Sequence, residues 1–318
     1  MNTRNASPIP TLQDRIAGGL IGLLVGDALG VPYEFQPPTA IPDAATIEFD
    51  PPAGFLRSHA SVPPGTWSDD GAQALCLLAS LLHCGELELD DFSRRLLNWY
   101  EYGYLAVDGI VFDIGITTGI ALRAVRAGAA ADSAGPASVN SNGNGSLMRV
   151  LPLALWHRGS DAELVRDAQR QSLVTHGHLR AQVCCALYCL MARGLLTGVA
   201  DPWSGAVATL RHLYADSAAE QEELEWNIRP DEPLHASGSG YVVDCLRSAM
   251  LCLQQPGYEQ AVRAAVRMGH DTDTTACVAG GLAGIRWGLG GIPRRWREAL
   301  RGGDISRPLL AALLQWRS

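Results

Sequence analysis

The chain has 318 residues, 47% of them hydrophobic and 18% charged, with a formal net charge of −8. Such proportions belong to a globular protein with a substantial core, and the acidic balance excludes a nucleic-acid backbone or an anionic membrane surface as the main partner. All 25 basic residues are arginine, so one arginine near a site says little about phosphate recognition.

Residues 1–11 carry no periodic pattern and are expected to be flexible. Helical spacing begins at 12–30, where Arg15 precedes the apolar run IAGGLIGLLVGDALG. That outline imitates a secretory signal, but Asp14, the late start, the internal Asp27 and a length below the roughly 20 residues that span a bilayer argue for a core helix. Residues 31–67 hold eight of the 18 prolines; an irregular stretch of this length inside a domain is expected to build a site rim or lid. Within it TIEFD, 46–50, is the one passable strand. Apolar residues then recur at helical spacing over 70–84, 90–102, 116–128, 146–157, 160–173, 178–197, 203–215, 240–254, 257–268, 274–287 and 306–316. Residues 217–240 interrupt the series as an acidic, solvated insertion. The expectation is an all-α chain forming a single domain. Eight cysteines (Cys76, Cys84, Cys184, Cys185, Cys189, Cys245, Cys252 and Cys277) lie in apolar runs without a C-x-x-C pair, which reads as buried thiols in a reducing, cytoplasmic compartment.

Glycines recur every fourth residue in two places, Gly18–Gly22–Gly26–Gly30 and Gly280–Gly284–Gly288. Rows of this kind strip one helix face of side chains and let backbones approach. Packed antiparallel, the two rows would bring GDALGVPYEF beside GHDTDT.

The acids at that junction come in two clusters. Asp271 and Asp273, two residues apart, would face nearly opposite sides of a regular helix, so a turn followed by a helix start near Thr274 is expected. Ser68, Asp69 and Asp70 stand at a second loop-to-helix junction, PPGTWSDDG. Either pair alone reads as a helix cap. Four carboxylates together would repel unless cations were present, and an oxygen-only donor set suits hard divalent ions such as Mg2+ or Mn2+, with Ser68 and Thr274 hydroxyls completing the sphere.

In order and spacing, GLLVGDALGVPYEF, GTWSDDGAQ, FDIGITTGIAL, NSNGNGSLMRVLPLAL, THGHLRA, GSGYVVDCL and GHDTDTTACVAGGLAGIRWG resemble the blocks of the ADP-ribosylglycohydrolase family over about residues 14–300. The resemblance implies a compact, single-domain, all-α orthogonal bundle with two divalent cations, held by Ser68, Asp69, Asp70, Asp271, Asp273 and Thr274. It makes Glu34 the acid near the scissile bond and Asp113 an acid near the ribose, Asp70 serving catalysis as well as metal binding. It further implies that Asn142, Gly143, Asn144, Gly145 and Ser146 cradle a diphosphate, aided by a helix N-terminus at Ser146, with His176 and Tyr241 lining the ADP-ribose cleft. Asp27 reads as a structural acid, and His178 and His270 as helix-start or surface residues. Gly71 stands where the family has threonine, which predicts a less firmly oriented acid cluster.

The activity implied is hydrolysis of the N-glycosidic bond between ADP-ribose and a protein arginine, reversing regulatory or toxin-inflicted modification. Alternatives are another ADP-ribosyl linkage (serine, O-acetyl-ADP-ribose), or an immunity-type protein that blocks an ADP-ribosyltransferase toxin or enzyme by contact. The implied partners are therefore an ADP-ribosylated protein and, in the last case, the transferase, with neither nucleic acid nor membrane.

Overall fold

Thr11 starts the ordered architecture. Its hydroxyl accepts from the Asp14 backbone N–H while the Asp14 carboxylate accepts from the Thr11 backbone, a reciprocal cap on the first helix. The computed structural model describes residues 9–318, so most of the segment expected to be flexible, 1–8, lies outside the described residues. The helices are α1 Leu12–Gly30, α2 Asp69–Cys84, α3 Leu89–Tyr102, α4 Ile116–Arg126, α5 Leu151–Trp156, α6 Asp161–Leu173, α7 Leu179–Thr197, α8 Pro202–Leu213, α9 Ala218–Glu222, α10 Val242–Cys252, α11 Tyr258–Arg267, α12 Thr272–Trp287, α13 Arg294–Ala299 and α14 Gly303–Trp316. Each expected helical stretch coincides with one of them, the observed starts of α2, α3, α8, α12 and α14 lying one to three residues earlier. The two not foreseen, α9 and α13, are too short to show a periodic pattern.

Two departures have a physical reason. TIEFD forms no strand; a 3-10 turn at Ala44–Thr46 runs into irregular chain. Its alternation is genuine, since Ile47 and Phe49 are buried, but both anchor the loop in the core with no partner strand beside them. The acidic stretch after 217 is not simply solvated. It continues from α9 into a π-helical turn, Glu223–Ile228, that buries Leu224 and Ile228, and its acids pair with Arg180 and Arg211.

The glycine rows meet. A Cβ built on Gly18 would lie 2.2 Å from the Gly284 carbonyl oxygen, one on Gly22 2.5 Å from that of Gly280, and one on Gly26 2.0 Å from that of Ala276. The descending partner numbers make α1 and α12 antiparallel, in contact backbone to backbone. At the end of the row a Cβ on Gly30 would lie 2.3 Å from the Asp273 Cα, and the Thr272 hydroxyl donates to the Gly30 carbonyl at 2.8 Å. Counted on to Tyr33, α1 is long and apolar enough to cross a membrane, as is α7, so the short length expected of the first apolar run does not hold; most of each is buried inside this fold.

Candidate active site

Glu34 follows directly from the glycine contact. The chain leaves α1 through a single 3-10 turn, Val31–Tyr33, and is clamped to the turn before α12 by two reciprocal backbone bonds, Phe35 N–H to the His270 carbonyl and His270 N–H to the Gln36 carbonyl, each 2.7 Å. Phe35 and His270 both adopt positive φ, a conformation uncommon for such residues; the doubled bond holds them there. Ser58 donates to the Glu34 carbonyl. His59 Nε2 lies 2.7 Å from Glu34 Oε2, with one proton between them. The long irregular segment thus supplies both an acid and its partner.

The two acid clusters converge. Ser68 caps α2, its hydroxyl accepting from Asp70 N–H and donating to Asp70 Oδ2 at 3.1 Å. Thr274 Oγ1 donates to the same oxygen at 3.3 Å across 204 residues of sequence. Asp271 occupies the N-cap position of α12 without a side-chain cap bond and Asp273 lies in its first turn, so the helix starts two residues earlier than the spacing predicts. Asn144 Nδ2 donates to Asp271 Oδ2 at 2.8 Å. Oxygens of Glu34, Asp271 and Asp273 lie within 4.8 Å of one another, as do those of Asp27, Asp70 and Asp273, and ligand atoms of Glu34, His59 and Asp113.

Asp27 accepts backbone N–H bonds from Ser68 at 2.9 and 3.1 Å and from Gly71 at 2.7 Å. It is the structural acid foreseen, capping α2 from α1, and its charge also joins the cluster. A Cβ at residue 71 would lie 2.8 Å from both Leu24 and Trp67, so those side chains occupy the space a larger residue needs. The loosening expected at Gly71 is opposed by the Asp27 cap. Asp69 lines the cleft and accepts from Gln73 at 2.7 Å.

This donor set fits hard cations. Asp70 Oδ1 and both carboxylate oxygens of Asp273 are buried without a hydrogen-bond partner, a costly state for an anion unless a cation faces it. Burial, then the Asp113, Asp271, Asp70 and Asp27 charges, push Glu34 up to about 10. Burial pushes Asp27 up to about 7 against the backbone bonds that lower it. Asp69, Asp70 and Asp273 are raised well above the carboxylate range, by burial first and then by one another and neighbouring acids. Asp113, raised by burial, stands at positive φ before α4.

The metal-free protein is therefore expected to lose stability as pH rises. Groups whose folded pKa is raised contribute stability that is complete below the unfolded value and lost as pH climbs through the folded one, from 3.8 to about 7 for Asp27 and from 4.5 to about 10 for Glu34. Each such group changes stability by up to about 1.4 kcal/mol per pH unit. Calorimetric melting in chelator should fall between about pH 5 and 9, with Mg2+ or Mn2+ restoring most at the alkaline end; a flat chelated profile would contradict the crowding argument.

Glu34, Asp69, Asp113, Asp271 and Thr274 line a cleft of about 240 Å3 with Thr117, Thr118, Gly143, Gly145 and His176, and Asp70 and Asp273 lie buried beneath them. Gly143 pairs with Tyr241 in an isolated antiparallel bridge, and Asn144 N–H donates to the Gly240 carbonyl at 3.0 Å, which fixes the NGNGS loop against the start of α10. A Cβ at Gly145 would lie 2.7 Å from the His176 ring, so the glycine admits the imidazole. His176 is buried, held down at about 3 by burial and then by the Arg149 charge, hence neutral, with Nδ1 2.8 Å from Thr175 Oγ1. Two expectations need correction. No helix starts at Ser146: it lies in a buried run of turns, 145–149, its hydroxyl accepting from Ser172 at 2.8 Å, and α5 begins only at Leu151. Asn142 is also turned away, its Nδ2 donating to the Val139 carbonyl; Gly143, Asn144 and Gly145 face the cleft. Tyr241 is half-exposed at the edge, its hydroxyl accepting from Arg180. His178 caps α7 and His270 is exposed, as foreseen.

His59, Gln73 and Arg149 escaped the sequence reading: His59 and Arg149 meet their partners across 25 and 76 residues of sequence, and Gln73, four residues after Asp69, looks like an ordinary helix residue until its contact with Arg149 is seen. A larger cavity of about 560 Å3, lined mainly by apolar residues with Arg15, Arg286 and Asp201, brings together a single carboxylate; the clustered acids are in the smaller cleft.

The model of the family described as ADP-ribosylglycohydrolase matches residues 8–317. The chain is 30% identical over 293 residues to the ADP-ribosylarginine hydrolase Tri1 of Serratia proteamaculans (strain 568), covering 90% of this chain and 75% of that one. It is 29% identical to the ADP-ribosyl-[dinitrogen reductase] glycohydrolase of Rhodospirillum rubrum, covering 92% of each. A solved structure titled "ADP-ribosylglycohydrolase-related protein complex" superposes with a TM-score of 0.77 at 30% identity, over 96% of this chain and 99% of that one.

Proposed function

The chain belongs to the ADP-ribosylglycohydrolase family, and from that premise we propose that it hydrolyses the N-glycosidic bond between ADP-ribose and an arginine side chain of a protein. One observation carries the reading: two acid clusters 204 residues apart share a single cleft, with buried carboxylate oxygens that lack a partner. Ser68, Asp69, Asp70, Asp271, Asp273 and Thr274 would hold two divalent ions, Mg2+ or Mn2+. Bound there, the ions would supply orientation of the ribose hydroxyls and acidification of a water.

The protein groups handle the protons. Glu34 shares one proton with His59 across 2.7 Å and lies close to Asp113. It is placed to give that proton to the departing guanidine nitrogen and to accept one from the attacking water. Asp113 and Asp70 offset the positive charge that develops on the sugar ring. Gly143, Asn144 and Gly145 present the backbone that takes the diphosphate, with His176 behind them.

A protein acceptor is supported by the apolar rim of the cleft. Ile116, a lining residue, is 83% exposed, and Phe35, next to the lining Glu34 and against the His59 ring, 68%; apolar groups beside an acidic cleft suit contact with a macromolecule. Eight unpaired cysteines support a reducing cytoplasm. The test offers ADP-ribosylated arginine and serine peptides, with and without chelator, and identifies the products by mass spectrometry. Release of ADP-ribose from arginine, abolished by chelator, is expected; release from serine alone would move the assignment to the other linkage.

A further inference from the structure

Arg149 is fully buried, and among the described residues it forms no ion pair with a carboxylate. Burial holds its guanidinium down at about 10, so it stays charged. Its fork is used on neutral acceptors: Nη1 donates to Gln73 Oε1 at 3.0 Å, Nε to Gln171 Oε1 at 3.1 Å, and Nη2 to the Gln171 carbonyl at 3.0 Å. Its Cζ lies 5.1 Å from the Phe92 ring centroid.

Each glutamine passes the contact on. Gln73 Nε2 donates to Asp69 Oδ2 at 2.7 Å, and Gln171 Nε2 donates to the Ser146 carbonyl at 3.2 Å. Arginine only donates and an ionised carboxylate only accepts, so the Gln73 amide has one orientation that satisfies both ends. The same holds for Gln171 between arginine and a carbonyl. One buried cation thereby fixes an oxygen of Asp69 on α2 and the backbone of the NGNGS loop, two parts of the cleft with no direct hydrogen bond between them in this network.

We propose that Arg149 is a positioning residue which, through Gln73, orients Asp69 for a divalent cation and, through Gln171, sets the substrate loop in register with it. The inference rests on the two-ion reading of the site. Outer-shell partners of metal ligands influence affinity by about 10–100-fold, and a relay through a neutral amide transmits orientation without placing a second anion beside the acids.

The test is a Mn2+ titration of the purified, chelator-stripped protein, followed by loss of the free-ion EPR signal, with melting recorded for the same samples. Gln73→Leu is expected to bind Mn2+ about 10–100-fold more weakly while still melting cooperatively. Gln73→Glu gives Arg149 a carboxylate partner and Asp69 a like-charged neighbour. It should melt at or above wild type and still bind Mn2+ more weakly, opposite signs that a purely structural role does not produce. Arg149→Lys, which keeps charge without the fork, should be intermediate. Mn2+ affinity within twofold of wild type in both Gln73 variants would overturn the inference and leave the metal reading intact; no Mn2+ uptake by wild type would overturn both.

Discussion

Asp273→Asn is expected to lower hydrolysis of ADP-ribosylarginine by about 10²–10³-fold, the scale of removing one preorganised electrostatic group from an active site, while raising the melting temperature of the chelated protein by a few degrees. The two signs have one cause. Asp273 is fully buried with both carboxylate oxygens unpartnered, and its pKa is raised well above the carboxylate range by burial first and then by Glu34, Asp113, Asp70 and Asp271. Without cations the charge is a liability; with them it is a ligand. The amide removes the liability and the ligand together, so divalent ions should also stabilise the variant less than wild type. Steady-state kinetics with paired melts in Mg2+ and in chelator check both halves. Wild-type turnover would refute the two-ion mechanism. Any protection against a transferase by contact alone should survive the substitution.

Gly284→Ala is expected to destabilise the fold by on the order of 3 kcal/mol or more. Its Cβ would lie 1.9 Å from the Gly18 carbonyl oxygen and 2.5 Å from its carbon, and backbone cannot rotate aside as a side chain does. Relief requires α1 and α12 to separate along the surface that places Glu34. A matched control is Gly290→Ala, where nothing lies within 4 Å and the change should stay within about 0.5 kcal/mol. Equal denaturant midpoints for the two variants would show that the helix contact is softer than the geometry implies.

The glycine rows show how far pattern reading reaches. Spacing of four identified two bare helix faces, and these faces do meet; the acids at their ends therefore meet as well. Helix-forming periodicity likewise located the long elements, because burial of a stripe dictates it. Reading failed where a residue's role depends on partners that periodicity cannot register. TIEFD alternates because Ile47 and Phe49 enter the core from a loop, and alternation does not distinguish that from a sheet. Ser146 looked like a helix start, but the turn before α5 buries it against Ser172. His59 lies in a proline-rich segment without period, and its 2.7 Å approach to Glu34 arises from loop closure. Arg149 was masked by composition, since in a chain whose every basic residue is arginine no single one stands out.

The antiparallel seating of α1 against α12 also governs the order of events during synthesis. The partner of Gly18 is Gly284, so the first apolar helix leaves the ribosome more than two hundred residues before the surface that covers it. At about 5–20 residues per second that interval is on the order of tens of seconds. Throughout it, a glycine-rich helix with the length and hydropathy of a membrane span lacks the α12 backbone against which its glycine row packs. The cleft therefore cannot close until nearly the whole polypeptide has emerged, because its two acid clusters are joined only when α12 seats on α1.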